Sequence, residues 1–231
     1  MRVNDLIKVA IVAIVLSLLI NLYVAYNIKY NLERYPNASP KTALFDGFGY
    51  LRVFINLIMV MFVQEYLAYE IRSGYTALLM KTGIGLRRYV FERIMFFTII
   101  ALLLAIPTYF IVSPIARYSD VLFCCILGDL LTITMYSFII SFIFPNAIPV
   151  IFGGLLLTYL TRIYLSIFLY NVSHELLVLY IFNPIMIWFI EDNLFVEKHI
   201  LYLFTLLYVI LVLVIEYFST MKIVSKRGIY K

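Results

Sequence analysis

The chain has 231 residues, 65% of them hydrophobic and 13% charged, against about half apolar and a quarter charged in soluble domains. A mean hydropathy of +1.01 leaves no room for a sizeable water-soluble domain. The formal charge of +5 does not point to nucleic acid, because the basic residues stand in short segments between apolar runs, where membrane proteins carry their orientation signal.

A helix crossing about 30 Å of hydrocarbon needs about 20 apolar residues. Six stretches meet that requirement: 6–28, 50–69, 89–112, 121–144, 148–170 and 200–218. Within lipid only a helix satisfies such a backbone internally. The predicted fold is therefore an all-α polytopic membrane protein, a single domain over 1–231 with six transmembrane helices. The first stretch lacks a small-residue cleavage site and is followed by further spans, so it reads as a helix that stays rather than a signal peptide. Pro36, Pro40, Pro114, Pro145 and Pro149 fall in or near the predicted connections, where a helix breaks anyway. Cys124 and Cys125 are adjacent in an apolar run. They cannot build a disulfide framework and read as small core hydrophobes.

Charge sets the direction. With the N-terminus in the cytoplasm, the inner segments hold Arg2, Lys8, Arg72, Lys81, Arg87, Arg88, Arg93, Lys222, Lys226, Arg227 and Lys231. The outer ones hold Lys29, Arg34, Lys41, Arg52, Arg117 and Lys198. This positive-inside bias predicts both ends in the cytoplasm. The apolar stretch 176–190 is interrupted by Asn183-Pro184 and reaches only about 22 Å at 1.5 Å per residue. A crossing there would put the basic tail outside, so a re-entrant or interfacial helix pair on the outer side is predicted between the fifth and sixth spans.

Between the second and third spans, Ile71, Tyr75, Leu78 and Leu79 fall at i, i+4, i+7 and i+8, one stripe of a short helix over 70–82. Arg72, Ser73, Thr76 and Lys81 are expected to face away from that stripe, and Gly83 and Gly85 to end the helix. Such a helix either rests on lipid headgroups as a connector or offers its polar face to a soluble partner.

The pattern Glu70-x-x-x-Gly74, then Leu78-Leu79-Met80-x-Thr82-Gly83, then Arg87-Arg88-Tyr89 and Arg93 resembles the permease subunits of type 2 ATP-binding-cassette exporters. Members of that family commonly carry Glu-Arg-x-x-Gly-Thr-x-Glu-x-Leu-Leu-x-Thr-Pro after the second span, then a basic pair, then a lysine opening the third. Glu70 corresponds to the leading acid, Gly74 to the glycine and Arg93 to the late lysine. The motif covers about 25 residues, whereas the six-span architecture with an Asn-Pro before the last span is similar over nearly the whole chain. This sequence departs from the pattern at Thr82-Gly83, Ala77 and Tyr75. Its N-terminal interfacial segment is reduced to residues 1–5.

The resemblance implies that residues 70–82 form a coupling helix docking into a separate ATP-hydrolysing subunit, with Glu70, Arg72, Gly74, Thr76, Leu78, Leu79 and Lys81 as docking residues. It also implies a homodimer, or a heterodimer with a related permease, with substrate passing between protomers. ATP and Mg would be held by the ATPase partner and no cofactor by this chain, which has no Gly-rich Walker segment.

Ionisable groups inside a span are costly and are functional candidates. Asp129 in the fourth span and Arg162 in the fifth are expected roughly 12–14 Å deep from the outer face. Asn21 and Asn56 reach similar depths. These four define a predicted intramembrane polar layer with an Asp129–Arg162 pair, which either orients the bundle or lines a substrate route. Glu65 and Glu216 read as interfacial, near inner span ends. Among the aromatics, Tyr23, Tyr26, Tyr30 and Tyr170 suit a headgroup belt. Asn37-Ala38-Ser39 and Asn171-Val172-Ser173 match glycosylation sequons on the outer side.

Other functions fit less well. An intramembrane hydrolase needs a nucleophile with a base, or spaced metal ligands. His174 and His199 are the two histidines, both near outer loops, and neither His-Glu-x-x-His nor Gly-x-Ser-x-Gly occurs. The expectation is a non-enzymatic transport subunit in the cell membrane. A secondary transporter or a non-transporting membrane scaffold is the alternative, and no internal repeat of the kind secondary transporters use is visible.

Overall fold

The computed structural model describes residues 3–34, 40–81, 85–112, 119–172 and 198–227, and among these nearly all are helical and none forms a strand. In chain order, α1 (Val3–Arg34) is followed by α2 (Pro40–Val63), a π-helical turn (Gln64–Ala68) and α3 (Tyr69–Arg72). The backbone stays right-handed helical at Val63, Ala68 and Tyr69, so α2, the π turn and α3 form one rod. Then come α4 (Tyr75–Lys81), α5 (Leu86–Val112), α6 (Ser119–Ile143), α7 (Ala147–Val172) and a final helix, α8 (Lys198–Arg227).

Four of these stretches are long and apolar enough to cross a membrane: Arg52–Arg72, Leu86–Ile111, Ile126–Ile143 and Thr205–Ser225. They lie on the second, third, fourth and sixth predicted spans. The helices expected as the first and fifth spans are formed, with shorter apolar stretches, Ile11–Asn27 and Ala147–Thr161. Pro40 opens α2 rather than lying in a connection, since proline at the first helical position forfeits no intrahelical bond. Pro107 lies inside α5. The stretch 176–190 with Asn183-Pro184, and His174, lie outside the described residues, as do Pro36 and Asn37-Ala38-Ser39, whereas His199 lies in the first turn of α8.

The core forms around α6. In its apolar stretch 78% of residues are buried, against 22% for Thr205–Ser225, because α6 packs on α2, α5, α7 and α8 together. Phe97, Phe138 and Phe142 are fully buried and meet ring to ring, Phe97 to Phe138 at 6.2 Å and Phe138 to Phe142 at 5.3 Å, separations at which aromatic pairs attract. Several hydroxyls in this core are satisfied by their own helix: Thr98 donates to the Ile94 carbonyl at 2.8 Å, Thr132 to Gly128 at 2.7 Å and Ser141 to Ser137 at 2.7 Å. Such bonds let polar residues enter an apolar interior at little cost. The outward faces carry Ile11, Leu19 and Leu22 on α1, Phe152 and Leu156 on α7, and Leu203, Leu211 and Phe218 on α8, all exposed. Exposed apolar faces on every side fit a lipid-embedded bundle.

Candidate functional site

The rod of α2, the π turn and α3 ends at Ser73-Gly74. Ser73 N–H donates to the Tyr69 carbonyl at 2.9 Å and Gly74 N–H to the Ile71 carbonyl at 3.2 Å. Gly74 has φ 75°, the left-handed conformation that ends helices and that glycine adopts without strain. The chain turns there, and α4 starts a new helix. The continuous stripe expected over 70–82 is therefore cut in two, and its phase resets at Gly74.

That reset overturns one expectation. Thr76, expected to face away from the apolar stripe, is 1% exposed, while Leu78 on the stripe is 58% exposed. Leu79 and Ile71 pack against the core, whereas Tyr75 is exposed. The face that α4 presents thus carries Tyr75, Leu78 and the exposed Lys81. Thr76 and Leu79 fasten it.

Beneath α4 the motif residues meet. Arg93, on the second turn of α5, donates from Nη2 to Glu70 Oε1 at 2.7 Å. The Tyr89 hydroxyl donates to Glu70 Oε2 at 2.9 Å and lies 3.2 Å from Thr76 Oγ1. The Arg93 guanidinium stands 5.3 Å from the Tyr89 ring centroid, a cation–π distance. Glu70 and Arg93 side chains are about 14% and 15% exposed, so the ion pair is largely shielded from water. One cluster therefore joins α3, α4 and the start of α5. Arg72 stays exposed at the turn, its guanidinium 5.8 Å from the Tyr69 ring. Next to the cluster a groove of about 770 Å³ is lined by Glu65, Tyr66, Tyr69, Glu70, Ser73, Gly74, Tyr75 and Leu78. It opens beside the π turn, a helix form that often marks functional positions.

Asn21, Asn56 and Asp129 are buried as expected, and Asp129 meets a partner on α2. Asn21 is fully buried and donates to the Ser17 carbonyl at 2.8 Å, and Ser17 in turn donates to the Leu104 carbonyl on α5 at 2.7 Å. Asn56 is 1% exposed. Asp129, 4% exposed, is bound by Arg52 of α2 through Nε, with Nη2 at 3.5 Å from its second oxygen. The expected partner, Arg162, lies on α7, and its side chain is outside the described residues. Arg52, an outer-side charge by its place in the sequence, is 9% exposed within the bundle. The signal that it belongs inside is its position one turn from Asn56 on the same helix face, ahead of the buried Ile55 and Met59.

Glu65 is exposed, as an interfacial acid should be, whereas Glu216 is 1% exposed and sits within the bundle. Among the described residues no group of three His, Cys, Asp or Glu side chains is arranged to hold a metal. The chain matches no protein-family model, no curated protein and no solved structure.

Proposed function

We propose that this chain is the membrane permease subunit of an ATP-binding-cassette exporter, driven by a separate ATPase subunit that docks on α4. The observation that carries this reading is the Glu70–Arg93–Tyr89–Thr76 cluster. A seven-residue helix that only connected two spans would need no buried anchor. This one is pinned through Thr76 to Tyr89, and through Tyr89 to Glu70, so a push on its exposed face reaches the ends of two long helices together.

In this reading Tyr75, Leu78 and Lys81 meet the ATPase, with Arg72 at the rim. ATP and Mg sit on that partner, whose closure moves α4 and shifts a dimer of permeases between inward- and outward-facing arrangements. The π turn supplies a place where the rod can change its winding without unfolding. Both chain ends lie in the cytoplasm, in keeping with the positive-inside bias.

The test is co-purification of the full chain from its native membrane after mild solubilisation, with a photo-crosslinker in place of Leu78. An ATPase subunit cross-linked at that position and ATP-dependent substrate movement in vesicles are expected. Transport that proceeds without any ATPase, or a complex that contains none, would overturn the reading in favour of a secondary transporter or a scaffold.

A further inference from the structure

Val212, Glu216, Thr220 and Val224 recur at intervals of one turn along α8, and all four are buried. They line the face that packs on α6 and α5. Two of them are polar without being satisfied: neither Glu216 Oε1 nor Thr220 Oγ1 has a hydrogen-bond partner among the described residues. Among the described residues no lysine or arginine forms an ion pair with Glu216. Buried carboxylates are normally paired or hydrogen-bonded, and a bare one in a membrane bundle is strongly disfavoured against its neutral acid.

The neighbours at this level are fixed by register. Phe123 and Tyr202 line one notch near the end of α5, with Ile106, Tyr109 and Phe110. Further along, the Thr132 and Tyr208 hydroxyls bond to each other. Helices α6 and α8 therefore run the same way, and Glu216 falls near the level of Ile140. On α6 the residues around it are Ser137, Phe138, Ile139, Ile140 and Ser141, none of which carries charge; the ionisable α6 residues Asp129 and Tyr136 lie toward the Thr132 end and beyond. On α5 that level is Ile94 and Phe97, since Phe97 touches Phe138. The charged α5 residues next along are Arg93, held by Glu70, and Glu92, held by Arg88 at 2.7 Å.

Metal cations of the hard class take about six or more oxygens. The three side-chain oxygens of Glu216 and Thr220 are too few for that, and they suit a proton. We propose that Glu216 is an intramembrane proton-binding site, with Thr220 as its polar neighbour, that keeps its proton while α8 lies on α6 and exchanges it only when this face opens to water. On opening, the carboxyl O–H bond breaks heterolytically and the proton passes to water as hydronium; closing reverses the step. Proton exchange is thereby tied to movement of α8 against α6, with no ATPase needed for the binding itself.

Infrared difference spectroscopy on the full chain in lipid nanodiscs tests this. At neutral pH a protonated carboxyl carbonyl band is expected, shifted in heavy water, absent in Glu216→Gln, and converted reversibly to carboxylate as pH rises. If Glu216→Gln fails to accumulate, Thr220→Val serves instead: it retains the acid, and the band is expected at a changed frequency. A purely structural acid would give a band that does not titrate while the protein stays folded, and that result overturns the proposal. So does absence of the band at neutral pH, or its conversion by sodium chloride but not choline chloride, which would mark a sodium site.

Discussion

Arg93 on α5 reaches back to Glu70 on α3 across 2.7 Å, with both side chains largely buried. Removing one partner leaves the other charge uncompensated, at a cost of about 3–5 kcal/mol for a buried pair. Arg93→Ala and Glu70→Ala are each expected to lower the thermal unfolding temperature in detergent. The double variant should lose less than the sum of the two, because the second change removes a charge already stranded.

Tyr89→Phe separates the hydroxyl from the ring. It deletes the bonds to Glu70 and Thr76 and keeps the surface beneath Arg93. A hydrogen bond to a charged group contributes about 1.5–3 kcal/mol, so a loss of that order is expected. On the proposed function, partner-stimulated transport should fall further than stability does. Equal stability with unchanged transport would show that the hydroxyl plays no part in anchoring α4.

Gly74→Ala tests the turn between α3 and α4. A Cβ at that position meets nothing within 4 Å, so the cost is backbone strain from φ 75° alone, about 1–2 kcal/mol for an L-residue in that region. Gly74→Asn should be milder, since asparagine tolerates it better. On the proposed function, the expected signature is weaker capture of an ATPase subunit by Gly74→Ala with the bundle still folded, read by pull-down alongside circular dichroism.

The Arg52–Asp129 pair joins α2 to α6 deep in the bundle. Arg52→Met or Asp129→Leu alone is expected to destabilise by about 3–5 kcal/mol, while the pair of substitutions together should come close to the native value. Unfolding measurements on the three variants decide it. A double variant as weak as the worse single one would mean that the pair's charge, and not its shape, holds the helices.

At Gly154, α7 comes close to α6. A Cβ built there would overlap Ser137 Oγ and stand 3.2 Å from Ser137 Cβ. Gly154→Ala should therefore force the helices apart and destabilise the protein. Adding Ser137→Gly should recover part of the loss, less about 1 kcal/mol for glycine inside a helix.

Glu70, Tyr89 and Arg93 belong to the segment whose pattern resembles a permease motif, and they meet around the Glu70 carboxylate. Thr76 faces the core because helical periodicity assumes an unbroken helix, and one left-handed residue at Gly74 resets the phase. Asp129 was legible as a buried acid from its place in an apolar run. Its bond to Arg52 was not, because Arg52 reads from the sequence as an outer-side charge, and side-chain reach across the bundle has no period in sequence.

Hydrophobicity and charge, which act residue by residue, determined by themselves that this chain is helical and suited to lipid, and they point its basic ends to one side. The tertiary structure alone decided that α6 is the central helix, that α4 is pinned by Thr76, and that Glu216 is enclosed by the bundle. Each of these depends on which faces of separate helices are pressed together, and the packing of side chains from distant segments sets that geometry.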